Sequence, residues 1–265
     1  PIVYICMIYF FNTKRILRFS NLQTYNEKLQ WLKLNYSADI LVCKCADKYT
    51  MRDYVKSKGL ELYLVKMYGV YLNESEIEYD ALPDDCMLKL SSGWDNNVVW
   101  HSWYNQNQKQ EVIRKLREWN KMTFGYFTGE TQYFYLVPRI ICEEYLGDEV
   151  VDYKLLCFNG KVELIQVDIS RYSCHKRNFY NTDWNRLNIQ YGYPNSTIEI
   201  EKPKKLKEMI WIAELLSSEF IHVRIDLYYI NNEIKIGEIT FSPTAGFKEY
   251  EPYYFNYYLG KKICI

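Results

Sequence analysis

The stretch His222-Val223-Arg224-Ile225-Asp226-Leu227-Tyr228-Tyr229-Ile230-Asn231-Asn232-Glu233-Ile234-Lys235-Ile236-Gly237-Glu238-Ile239-Thr240-Phe241 decides the fold. Apolar and polar residues alternate on both sides of Asn231-Asn232, as in two strands joined by a tight turn with one face buried. With a three-residue loop, Asn231 to Glu233, Asp226 falls directly across from Glu238, with Cβ atoms about 5 Å apart. Arg224 and Thr240 then share that face, and Val223, Ile225, Leu227, Tyr229, Ile239 and Phe241 form the opposite, core face. A two-residue loop would send the acids to opposite faces, so the reading turns on loop length.

Facing carboxylates repel, and burial raises the cost, unless a cation lies between them. Mg²⁺ accompanied by phosphate oxygens is the natural occupant. The plainer alternative is that Arg224 or Lys235 neutralises solvated acids.

Working outward, Asp152 to Phe158 and Lys161 to Asp168 read as strands joined by the turn Asn159-Gly160, with another strand over Leu136 to Tyr145. A Thr24/Glu27 capping box opens a helix over about 25–35. A second helix is expected from Asp47 to Gly59, placing Lys48 and Arg52 on one face. Others are expected at about 107–122 and, after Pro203, at about 204–218. The class is α+β. Cys86 to Leu90 is a short strand ending in Lys89, and the polar loop Ser91, Ser92, Gly93 offers backbone N–H groups to a phosphate. Glu143, Glu144, Tyr145 and Leu146 end a strand and offer a carboxylate and amides to an adenine edge; a solvated strand end reads equally well. Asp152 opens its strand, and Lys154 precedes the apolar Leu155 to Phe158.

Composition bounds the function. The 265 residues are 48% hydrophobic, which excludes a disordered tail or fibre. With 33 basic and 33 acidic residues there is no long-range field for nucleic acid or an anionic membrane, so any polyanion must meet a local site. The apolar opening Pro1 to Phe11 is about half of the roughly 20 residues a spanning helix needs. Eight scattered cysteines without a CxxC pair read as reduced residues of a cytoplasmic protein, with Cys43 and Cys45 the sole residual metal candidates. No GxSxG motif occurs, and none of His101, His175 or His222 belongs to a recognisable Cys–His nucleophile pattern.

Five segments carry a resemblance: Thr24-Tyr25-Asn26-Glu27-Lys28-Leu29-Gln30-Trp31-Leu32, Ala46-Asp47-Lys48-Tyr49, Asp152-Tyr153-Lys154, Cys157-Phe158-Asn159-Gly160-Lys161 and Gly237-Glu238-Ile239-Thr240-Phe241-Ser242-Pro243. In this order the chain, from about residue 20 to 260, resembles the TupA-like branch of the ATP-grasp superfamily, found with cell-surface polysaccharide biosynthesis. The resemblance implies two α+β lobes, 46–141 and 142–265, holding ATP between antiparallel sheets, preceded by a helical substrate-side segment over 1–45. It assigns Lys48 and Lys89, with Ser92 and Gly93, to the ATP phosphates. Glu143, Glu144, Tyr145 and Leu146 go to adenine, and Asp152 to ribose with Glu149 as a nearby substitute. Asp226, Glu238 and Thr240 would hold Mg²⁺. Arg224 would steady the transferred phosphate or a tetrahedral intermediate, and Lys154 and Arg171 the triphosphate or acceptor carboxylate.

The activity so implied is ATP-dependent ligation of a carboxylate to an amine through an acyl phosphate, with a small-molecule or sugar acid, such as a uronic acid of a polysaccharide precursor, as acceptor. Departures from the family pattern are a shorter loop after Lys89, with Ser91 where Gly is usual, Ala245 for Gly or Ser, and Thr240 for Asn. Two other readings stand beside this one. A glycosyltransferase would want a DxD-type motif at a strand end, which is lacking. A nucleotide-binding assembly protein without turnover would suit the short loop.

Overall fold

The computed structural model describes residues 2–93, 95–122, 124–148, 150–169 and 174–265; Glu149 and Arg171 lie outside the described residues. Among these residues the strands form two antiparallel sheets. The first joins β1 (Met67–Tyr71), β2 (Asp85–Leu90), β3 (Asn97–His101) and β4 (Ile140–Glu144) in the order β1-β4-β2-β3. The second joins β5 (Val151–Phe158), β6 (Lys161–Ile169), β7 (Lys176–Tyr180), β8 (Arg186–Leu187), β9 (His222–Ile230) and β10 (Glu233–Thr240) in the order β10-β9-β5-β6-β7-β8. The α+β class is as the sequence implies. β4 straddles the lobe boundary expected at 141/142.

Helices α1 (Ile2–Thr13), α2 (Tyr25–Asn35), α3 (Ile40–Ala46), α4 (Met51–Ser57), α5 (Gln106–Trp119), α6 (Leu206–Ser217) and α7 (Tyr254–Lys262) complete the fold. The capping box of α2 is formed: Thr24 Oγ1 accepts from Glu27 N at 3.3 Å, and the Glu27 carboxylate accepts from Thr24 N at 2.8 Å. The helix expected from Asp47 begins later. The Asp47 carboxylate accepts from the Tyr49 and Thr50 amides, each at 2.9 Å, and holds a turn, so α4 starts only at Met51. Lys48 therefore does not share a helix face with Arg52; its amide donates instead to Ser91 O at 2.7 Å.

Each face of the six-stranded sheet has its own partner. On the outer face Leu155, Ile165, Val167, Ile225 and Leu227 are fully buried with Met209, Ile212 and Leu216 of α6. Burying each such side chain stabilises the fold by about 2 kcal/mol. On the inner face one end is apolar, with Leu156, Phe158, Leu164 and Phe179 packed on Tyr25, Leu29 and Leu259 of α2 and α7. The other end of that face carries charge.

Candidate active site

The charged end is built by two hairpins with the same irregularity. In β9–β10 the turn is two residues, Asn231 and Asn232, both left-handed with φ 51° and 63°, and Glu233 pairs with Ile230. That corrects the three-residue loop. The acids nevertheless meet, because a bulge leaves Gly237 out of the ladder and shifts the register by one, pairing Glu238 with Asp226 and Thr240 with Arg224. In β5–β6 the turn is Asn159-Gly160, and a bulge between Leu156 and Cys157 pairs Asp152 with Asp168. Two cross-strand rows result on one face. One runs Gln166, Lys154, Asp226, Glu238, and the next Arg177, Asp168, Asp152, Tyr228.

Arg224, two residues before Asp226 on β9 and paired with Thr240, reaches back over the first row. Its Nε and Nη2 donate to both Asp226 oxygens at 2.6 and 2.7 Å, and Nη2 also reaches Glu238 Oε1 at 3.1 Å and Thr240 Oγ1 at 3.2 Å. Lys154, 6% exposed, donates to Asp226 Oδ2 at 2.5 Å and lies 3.3 Å from Asp152. Of the two neutralisers named from sequence, Arg224 fills that role, whereas Lys235 pairs with Glu233 at 3.0 Å. Burial opposes ionisation of Glu238, but Lys48, Lys154 and Arg224 outweigh it and hold its carboxyl well below the usual range. Burial pushes Asp226 upward against the pull of Arg224 and Lys154.

Across a cleft of about 900 Å³ stands the four-stranded sheet. Lys48 reaches over, 3.4 Å from Glu238 Oε2 and donating to Gly93 O at 2.9 Å. Lys89, Gly93, Glu144, Tyr145, Leu146, Asp152 and Lys154 line the same cleft with Arg224, Asp226, Glu238 and Thr240. Gly93 is left-handed at φ 89°, and a Cβ there would press within 2.5 Å of the Phe124 ring. Leu90 N donates to Asn96 O at 3.0 Å and closes the loop tightly. Two residues named for nucleotide contact stand back from the cleft. Glu143 is 4% exposed, with its carboxylate held by Lys89 at 2.8 Å and Arg52 at 3.3 Å. Ser92 is buried.

Asp168, His175 and Arg177 also line the cleft and were not anticipated. Arg177 donates to both Asp168 oxygens, at 2.5 and 3.0 Å, and to Tyr191 O at 2.9 Å; His175 Nε2 lies 3.5 Å from Asp168. Burial alone would raise the Asp168 pKa, but His175 and Arg177 hold it far below its ordinary value. The second row of the sheet, read across Asn159-Gly160, was the signal that could have found Asp168; its bulge hid the register. A turn at Thr244, Ala245 and Gly246, with φ of 48°, 53° and 69°, walls the same region. Side chains at one face of α2 grip its carbonyls: Asn26 donates to Gly246 O at 3.1 Å, Gln30 to Gly246 O at 2.9 Å and Lys33 to Ala245 O at 2.8 Å.

Charge balance indicates what this cleft can accept. Asp152, Asp168, Asp226 and Glu238 are matched by Lys48, Lys154, Arg177 and Arg224. An incoming polyphosphate adds negative charge to a cluster already balanced, so it is best accommodated together with a cation. Among the described residues no three His, Cys, Asp or Glu side chains are grouped as a ready-made metal site. Asp226, Glu238 and Thr240 put two carboxylates and a hydroxyl on one face, the hard oxygen donors that suit Mg²⁺ shared with phosphates. Of the two carboxylates Glu238, with its side chain 30% exposed against 2% for Asp226, is the more open to the cleft.

The cleft between the two antiparallel sheets, with Lys48 and Lys89 on one side and Asp152, Asp168, Asp226 and Glu238 interleaved with Lys154, Arg177 and Arg224 on the other, is a site of dense fixed charge of both signs. A sequence profile of the TupA-like ATPgrasp family matches residues 27–264, and the chain belongs to that family, a branch of the ATP-grasp superfamily of ATP-dependent ligases. No curated protein sequence matches it significantly. Among solved structures it is similar to an N5-carboxyaminoimidazole ribonucleotide synthetase in its ADP complex, at 15% identity and TM-score 0.49, covering 84% of this chain and 52% of that one. It is also similar to an L-amino acid ligase from Bacillus licheniformis, at 14% identity and TM-score 0.47, covering 78% and 45%. A D-alanine–D-alanine ligase from Bacillus anthracis is 13% identical with TM-score 0.44, covering 76% and 58%. The chain spans about half the length of these structures.

Proposed function

We propose that the protein is an ATP-dependent carboxylate–amine ligase that forms an amide through an acyl phosphate, acting on a uronic acid of a cell-surface polysaccharide precursor in the cytoplasm. The observation that carries this reading is the confrontation, across one cleft, of Lys48 and Lys89 with Arg224, Asp226 and Glu238. Within family membership, this is the arrangement that phosphoryl transfer needs: little covalent chemistry by the protein, and much fixed charge.

In this mechanism Lys48 and Lys89 hold the triphosphate from the four-stranded sheet, and Tyr145 and Leu146 border the base. Asp152 would take the ribose. The acceptor carboxylate attacks the γ-phosphorus, the bond to the bridging oxygen breaks, and ADP leaves. The amine then attacks the acyl carbon and expels phosphate, losing its proton to solvent. Arg224, held flat by Asp226, lies where negative charge grows in both steps. Lys154 keeps Asp226 in place and, with Arg171, is our candidate for the acceptor carboxylate or the triphosphate. Mg²⁺, held by Asp226, Glu238 and Thr240, would supply further neutralisation of the phosphate oxygens.

An ADP-release screen of uronates and other carboxylates against amines, followed by mass measurement of the product, tests the proposal. Stoichiometric ADP, phosphate and a product lighter by one water than the summed substrates are expected. Sugar transfer without ADP would replace ligation by the glycosyltransferase reading. Nucleotide binding without ADP over the whole panel would favour the assembly-protein reading, to which the tight loop after Lys89 lends weight.

A further inference from the structure

Helix α1 is apolar around its whole circumference, IVYICMIYFFNT, yet only Ile5 and Tyr9 are buried. A helix with no polar face has nothing to offer water. Val3, Met7, Phe10 and Phe11 are 46% to 73% exposed. Beside them lie Tyr126 and Phe127, exposed by 66% and 82%. The Tyr4 hydroxyl donates to Tyr126 O at 3.2 Å, and a Cβ at Gly129 would come within 2.2 Å of Ile5 Cδ1, so the two segments make one continuous face. Single exposed apolar residues are ordinary; a contiguous set of large ones marks an interaction surface.

Charge indicates what covers it. No acidic residue occurs from residue 2 to 26, and the helix is followed by exposed Lys14, Arg15 and Arg18, of which Arg15 pairs with Glu249 at 2.8 Å. Between residues 120 and 142 the single acid, Glu130, is 4% exposed. The face is thus apolar and basic in a chain of zero net charge. Two copies meeting through it about a twofold axis would bring their basic residues together, which disfavours a symmetric dimer. An anionic lipid surface complements both features. Among the described residues no helix is long and apolar enough to cross a bilayer, and an apolar face flanked by basic residues suits the headgroup boundary.

We propose that α1 and the 126–127 loop dock the protein on anionic bilayers. Asn12 and Thr128 lie beside this face and line the cleft, so docking sets the mouth of the cleft beside lipid headgroups, within reach of substrates held at a membrane. The proposal does not depend on the ligase reaction.

The test is co-sedimentation of the full chain with phosphatidylcholine vesicles and with the same vesicles containing phosphatidylglycerol. Binding to the anionic vesicles is expected, weakened about tenfold or more by the double variant Phe11→Glu, Phe127→Glu and also by Lys14→Glu, Arg18→Glu. Unchanged thermal unfolding would show that both variants fold. Absence of wild-type binding to anionic vesicles would overturn the proposal, as would a wild-type dimer that Phe11→Glu, Phe127→Glu dissociates, which would assign the face to a second copy.

Discussion

Glu238 stands directly across from Asp226 because Gly237 is left out of the β9–β10 ladder. Were Gly237 paired into the ladder instead, the two-residue turn would set Gly237 across from Asp226 and carry Glu238 to the core face across from Ile225. A Cβ at Gly237 would lie 2.8 Å from the Tyr228 ring, so the bulge is packed tightly. Deleting Gly237 removes the bulge but leaves Glu238 next in register across from Asp226, so a folded deletion variant should keep ADP formation. Valine there should lower the unfolding midpoint by several degrees through ~1–3 kcal/mol of overpacking. Activity measured on both variants, with circular dichroism as the check on folding, decides this.

Asp226 orients Arg224 through two hydrogen bonds. Asp226→Asn keeps the shape and one acceptor but removes the charge. ADP release should fall by roughly 100- to 1,000-fold with secondary structure retained. Full activity in this variant would remove Asp226 from the site.

Arg177 neutralises Asp168 in a buried pair. Arg177→Ala strands the carboxylate and should cost about 3–5 kcal/mol, whereas Arg177→Met combined with Asp168→Leu should recover much of that loss. Urea unfolding of Arg177→Met, Asp168→Leu and the pair gives the coupling.

His222 is buried between the Tyr25 hydroxyl at 2.9 Å and Cys157 O at 2.8 Å. Burial pulls its pKa from 6.5 down to about 4. The folded pKa of this base is depressed, so the unfolded chain binds the extra proton first, and stability falls as pH drops from about 6.5 toward about 4. The expected loss is about 3 kcal/mol. Stability against pH for His222→Gln, compared with wild type, should lack that part of the acid slope.

Lys33 is 1% exposed, donating to Thr128 O at 2.6 Å and Ala245 O at 2.8 Å, and burial brings its pKa from 10.5 to about 7 although Glu130 opposes the shift. Between those values the unfolded chain holds the proton and the folded chain has released it, so stability rises with pH from about 7 toward 10.5. Relative to Lys33→Met, wild type should gain on the order of a few kcal/mol across that window. A flat difference curve would show that the lysine stays charged.

The parts of the fold legible in the sequence are those written by neighbours along the chain. Thr24 and Glu27 cap α2 across three residues, the period of Leu206, Met209, Ala213 and Leu216 marks the face of α6, and Asn159-Gly160 turns a hairpin. Even the pairing of Asp226 with Glu238 was within reach, though through a longer loop rather than through the bulge that produces it. The segments quoted for the family contain Lys48, Lys154 and Glu238, and all three line one cleft.

What the amino-acid order determined by itself is therefore the two hairpins β5–β6 and β9–β10, strands β2 and β4, helices α2, α5 and α6, and the family to which the chain belongs. Only the tertiary structure decided that Glu143 is clamped by Lys89 and Arg52, that Asp168 lies across from Asp152 and that α2 grips the left-handed turn at Thr244–Gly246. The physical reason is range: periodicity and capping act over a few residues, whereas an ion pair or a bulged register is settled by whichever distant segment satisfies a buried charge.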